Sequence, residues 1–509
     1  MVGKSGLRVS RGLRVLLAAL FLVGGFTTAQ TSANLRQTVT REPGNLHAWI
    51  DLGNALLQEN KFDEAQKGFL EAVGLDYRSG DAHFGLGLAE YGRGDYPAAL
   101  FQFNEVTRLY PERFDGHFNR GVTLAKLRRH DEAVEAFGTA LQNTEEVSSG
   151  EQVNAYLGLA GQLERVEDFA AAADAYTAAL ELRPGDDALT LQRGEALYKS
   201  GNGLEALPEL TDLETRSKDY LVSTLVADIY VQADQPDYAV SSLERALRNA
   251  QAARETGAQA SILVKLGLLQ RSLGRDAEAV SAFQRATAAD ANSWQARYNL
   301  GVSYLENGEP ESALGHLENA ATIKPDSGEA HLALATAYDG VGRSADAFTS
   351  AQTALAALTD PELLAQANFI VGRGLYGQGD YAGAFENFEA VLMVRPDSAA
   401  AQLWAGLSEY QQANYDAAVQ YIERSVQLEP SNLDARVNLG AAYLASERYQ
   451  DAELVYQMLV EDAPQNADSF YNLGWALYAQ NQREDAKEAW VRASDLGFGP
   501  AQNALQKYF

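Results

Sequence analysis

The sequence predicts an all-α solenoid of antiparallel helix pairs, and three observations carry the prediction. A 34-residue period is written about thirteen times from Leu46 nearly to the end of the chain. Leu-Gly pairs return at matching points of it (Leu52-Gly53, Leu86-Gly87, Leu300-Gly301, Leu439-Gly440, Leu473-Gly474), and an alanine follows each glycine by twelve residues (Ala65, Ala99, Ala313, Ala452, Ala486). Between these points apolar residues recur at three- and four-residue spacing, which gives a helix one apolar face. A unit this short cannot bury that face alone, so neighbouring units must stack.

The elements follow in chain order. Residues 1–29 carry Lys4, Arg8, Arg11 and Arg14, then the apolar run 15–23, then the small residues Thr27, Thr28 and Ala29. That is the order of a secretory signal, so export to the periplasm or medium with cleavage after Ala29 is expected. The apolar stretch is short for a membrane span, and an uncleaved N-terminal anchor is the alternative. Residues 30–45 are expected to form a lead-in, with a half-unit helix over 32–41 before Pro43.

With the glycine set at position 8, repeats of the solenoid (46–498) start near 46, 80, 114, 151, 187, 220, 260, 294, 328, 365, 399, 433 and 467. Position 20 is then alanine throughout, provided repeat four carries two extra turn residues, Val166 and Glu167, so that Ala172 fills the slot. Small residues at 8 and 20 are expected to face each other where the two helices of a pair approach. Bulky residues of the second helix (Phe103, Phe137, Phe283, Phe388, Trp490) wedge between neighbours. Gly94, Gly201, Gly274, Gly308, Gly342 and Gly379 are placed to end first helices in a left-handed conformation. Longer joints fall at 143–150, 248–257 and 356–363, where the added residues either extend the second helix or open the loop. Residues 499–509 are expected to cap the stack.

Composition narrows the function classes. The net charge is −28, and it would be −32 without the first 29 residues, which hold four basic residues and no acid. Such a chain is repelled by phosphate backbones, so nucleic-acid binding is not expected; a basic partner is compatible. With no cysteine there is no disulfide, thiolate metal site or lipid-modified cysteine. The six histidines (47, 83, 117, 130, 316 and 331) make no H-E-x-x-H or H-x-x-x-H pair. No P-loop or G-x-S-x-G elbow occurs. Glu145-Glu146 and Asp186-Asp187 read as solvated loop acids. No catalytic, cofactor or metal residues are expected, and the chain reads as a non-enzyme.

The units, with Trp49-x-x-Leu52-Gly53, Ala65-x-x-x-Phe69 and terminal prolines at 111, 184, 325, 396, 430 and 464, resemble the tetratricopeptide repeat. Tyr304, Tyr338 and Tyr443 fall where that pattern has its tyrosine, and His83, His117 and His331 where it has tryptophan. The resemblance implies a right-handed superhelix of an exported bacterial type, whose first helices line an inner groove through positions 2, 5, 9, 12 and 13. Projecting those positions singles out Phe369, Arg373, Tyr376, Leu403, Tyr410, Tyr471, Trp475 and Tyr478 as the candidate partner-binding groove. Aromatic groups on a groove offer large contact area at low rotamer cost. The Lys/Asn clamp by which some members hold a C-terminal carboxylate is absent. The expected function is a non-catalytic protein-interaction scaffold of the cell envelope that holds a peptide or protein partner. The alternative is an accessory factor in envelope polysaccharide export or cell-wall assembly, binding glycan or a membrane complex.

Overall fold

The computed structural model describes residues 32–509; the signal segment expected at 1–29 lies outside the described residues. These residues form 28 α-helices and no strand. The chain divides into two compact units, Met1–Ala253 and Arg254–Phe509. Each is a stack of antiparallel helix pairs, with its apolar faces buried between neighbours. In the first unit a leading helix, Ser32–Arg41, sets Leu35 and Val39 against Leu52 and Leu56 of repeat one. In the second, a final helix, Gly499–Tyr508, closes on Trp490 with Ala501 and Ala504.

Local chemistry fixes each helix. Side chains of Asn45, Ser79, Asp95, Asp168, Ser293, Ser327, Asp380, Ser398, Asn432 and Asn466 accept hydrogen bonds from backbone N–H groups in the first turn of the helix that follows. Every first helix ends on one residue with positive φ, from Asp234 at 55° to Gly201 at 87°. The next N–H then donates to the carbonyl five residues back, as Lys61 does to Leu56 and Gln482 to Leu477, at 2.9 Å each.

That turn corrects the register of repeat four. The left-handed residue stands at position 15 in the twelve other repeats, and in repeat four it is Glu167, with Asp168 N–H donating to Leu163. The repeat therefore starts at 153, not 151. Ala172 falls at position 20 without inserted turn residues, and the buried Ala160 fills position 8. Gly158 is then position 6, where an added Cβ would meet Phe137 of repeat three as Gly85 meets Phe69 of repeat one.

The partner expected for position 8 also changes. The position-20 alanines are all buried, but the ten position-8 glycines face the large side chain at position 24 of their own repeat. A Cβ on Gly53 would lie 2.6 Å from the Phe69 ring, on Gly301 2.5 Å from Leu317, and on Gly474 2.3 Å from Trp490. The side chain lies flat on a bare Cα, so the wedge and the gap are one device.

The long joints do not open loops. They add a turn to the start of the following first helix: Ser149–Leu163, Thr256–Ser272 and Pro361–Gln378 have 15, 17 and 18 residues, against 13 in Leu46–Gln58 or Trp294–Glu306. Only before the second joint is the second helix also longer, Pro236–Ala252 with 17 residues.

Candidate functional site

The groove candidates fall on three first helices of the second compact unit. Phe369, Arg373 and Tyr376 sit on Pro361–Gln378, Leu403 and Tyr410 on Ala399–Gln411, and Tyr471, Trp475 and Tyr478 on Ala467–Ala479. All eight are half-buried. The structure brings two of them together with a residue that the projection missed. The Tyr376 ring meets Trp404 edge-on at 5.2 Å, and the Arg373 guanidinium lies 5.8 Å from the Trp404 ring while donating to Asp339 at 2.8 Å. Gln411 donates to the Tyr376 hydroxyl at 3.5 Å. Trp404 is at position 6, outside the five inner positions, which is why spacing passed it over. Phe369 instead packs on Phe388 at 5.7 Å. Leu403 and Tyr410 border the core around Leu439 and Tyr456, and burial raises the Tyr410 phenol above its ordinary pKa.

The other three candidates need a correction. Tyr471, Trp475 and Tyr478 do not front an open groove, because the chain end packs on them. Tyr471 lies 5.1 Å from Phe498, Trp475 5.5 Å and Tyr478 4.9 Å from Tyr508, and both Trp475 and Tyr478 contact the buried Trp490. Repeat thirteen has no successor to cover its apolar edge, so the final helix serves in its place.

A second inner-face feature stands at repeats seven and eight. A cavity of about 470 Å³ is lined by Arg271, Asp276, Ala279, Val280, Ser303, Glu306 and Asn307. Arg271 reaches Glu306 at 3.4 Å. Beside them Tyr298 is pushed above its ordinary pKa by burial first and then by the Glu329 charge. Arg271 and Glu306 occupy positions 12 and 13, so the projection that found Tyr376 also reached them; without an aromatic they carried no signal. Among the described residues no cluster of His, Asp and Glu side chains could hold a metal ion, and no helix is long and apolar enough to cross a membrane.

Stacked helix pairs with partly open polar and aromatic side chains along one face define a repeat scaffold for protein partners. Tetratricopeptide repeat profiles match residues 50–106, 89–147, 157–219, 226–293, 264–330, 298–362 and 371–432, with further matches at 409–470 and 468–493. The chain belongs to the tetratricopeptide repeat family. It is similar to the human protein O-mannosyl-transferase TMTC3 (23% identical, 51% of this chain and 33% of that protein). It is also similar to the mouse intraflagellar transport protein 70A1 (28% identical, 40% and 30%). The chain thus spans about a third of the length of the curated relatives it matches. Similar solved structures include the APC/C hetero-tetramer Cut9-Hcn1 (14% identical, 88% of this chain and 99% of that one, TM-score 0.34). Another is Pseudomonas aeruginosa pilF (24% identical, 42% and 96%, TM-score 0.35).

Proposed function

We propose that this chain is a non-catalytic scaffold that holds a peptide or protein segment on the inner face of repeats seven to eleven, and that it works in the cell envelope after export. The Arg373–Tyr376–Trp404 cluster is the observation that carries the binding reading. Two rings and a guanidinium there stay half-exposed although the core could bury them, an arrangement suited to anchoring a partner's side chains. The human relative's transferase name describes that protein; the side chains gathered here suit recognition, with no nucleophile held by a base.

The test is partner capture by the full chain against a Tyr376→Ala/Trp404→Ala variant whose helix content is unchanged. Truncated anchors typically cost about 2 kcal/mol or more, so capture should fall more than tenfold. A Trp475→Ala change, which acts under the final helix, should lower stability first. Capture undiminished in the Tyr376→Ala/Trp404→Ala variant would sink the groove assignment. Export rests on residues 1–29 alone and is tested by N-terminal sequencing of the mature protein, an intact Met1 being the contrary result.

A further inference from the structure

We infer that the cavity between repeats seven and eight receives a lysine or arginine side chain of the bound segment, so that the partner is a cationic peptide. This rests on the groove-binding reading and names the chemistry of its ligand. At about 470 Å³ the cavity is within the usual size range of a ligand pocket. Its polar lining is one-sided, with the carboxylates of Asp276 and Glu306 and the amide of Asn307 against a single guanidinium, Arg271.

The Arg271 bond to Glu306, at 3.4 Å, is longer than a well-made charge-assisted bond. A carboxylate offers about four acceptor directions, and this one contact leaves most of those on Glu306 open. Asp276 makes no hydrogen bond or ion pair with another described side chain. A cation entering the cavity finds one unengaged carboxylate and one lightly engaged. An anion would meet both, together with Glu329 beyond Tyr298.

The wider field has the same sign. Residues 254–509 hold 33 acidic against 17 basic side chains, and such a surface draws cations and repels anions at long range. The walls suit the rest of a long basic side chain. Leu268, one turn before Arg271, is 40% exposed, and the half-buried Val302 and Leu305 stand on the next first helix. Lysine and arginine lay their methylene stems on such surface while the charged head seeks carboxylates.

The test is selection of displayed random dodecapeptides on the full chain, followed by binding measurements with synthetic copies of the enriched sequences. Enriched peptides should carry lysine or arginine, and their affinity should fall at least tenfold in Glu306→Gln and in Asp276→Asn, both near-isosteric. Affinity of the parent should also fall severalfold between 50 and 500 mM KCl, a reading that needs no variant to fold. Enriched peptides without basic residues, or basic ones bound equally by both variants and at both salt concentrations, overturn the cation site while leaving the groove reading in place. If no peptide is enriched, or enrichment persists in Tyr376→Ala/Trp404→Ala, the groove reading falls and this inference with it.

Discussion

A glycine in these helices means one of two things, and only its surroundings tell which. Gly474 accommodates the Trp490 ring, so Gly474→Ala forces a methyl to within 2.3 Å of it; overpacking of this kind costs about 2–3 kcal/mol. Gly315, mid-helix in Pro310–Ile323 with nothing near a new Cβ, should show the reverse, Gly315→Ala gaining up to about 1 kcal/mol from helix propensity. Denaturant midpoints of the two variants separate the cases. Ala413 sits at φ 62°, a conformation costing about 1–2 kcal/mol for a residue with a Cβ, so Ala413→Gly should raise the midpoint slightly. Glu90 is 5% exposed, with Oε2 lacking a partner, and burial raises its carboxyl above the ordinary 4.5. An acid raised on folding contributes its full stability below the unfolded pKa and loses it as pH climbs from there through the folded value. Glu90→Gln should therefore flatten the stability profile above pH 4.5 and stabilise at pH 7 by about 1 kcal/mol; a steeper profile would refute the assignment.

Elements in this protein are set by what lies next along the stack. Three first helices gained an N-terminal turn because capped starts were available, Ser148 and Asp360 accepting first-turn N–H groups before two of them. At the third joint Leu358 and Leu363 are gathered into a small core with Leu332 and Ala354, which fixes the added length. Ties between neighbours repeat as well: the Tyr338 hydroxyl donates to Glu318 at 2.8 Å and Tyr443 to Glu423 at 2.5 Å, each from one repeat to the one before. The final helix is the element with most to lose. Removing residues 499–509 should unveil Trp475, Tyr478 and Trp490; exposing large apolar side chains costs about 1.5–3 kcal/mol each. The expected readout is red-shifted tryptophan fluorescence with faster amide exchange in Ala467–Ala479 and Arg483–Asp495. Unchanged emission would mean that the helix is not the cover described here.

For the whole molecule, stability is a sum of repeat and nearest-neighbour terms, and the two compact units give that sum a boundary. Gly474→Ala should speed amide exchange in the last repeats and leave residues 32–253 protected, and uniform loss of protection across both units would contradict it. Fold class, repeat number and turn glycines were legible in the sequence because the packing slots recur every 34 residues and small residues there have one physical use. Repeat four was misaligned because Gly158 imitates a position-8 glycine; backbone conformation at Glu167, which no side chain announces, reveals the true register. Half of the candidate site was misread for a similar reason. Spacing places Tyr376 and Tyr478 on equivalent points of their repeats, but one stands beside Trp404 and the other beneath Tyr508. By itself the sequence determined that helix pairs stack, since a periodic apolar face leaves no other way to be buried. Which residues remain open to a partner was decided only in the tertiary structure, because exposure depends on what neighbouring and terminal helices cover, and that is not periodic.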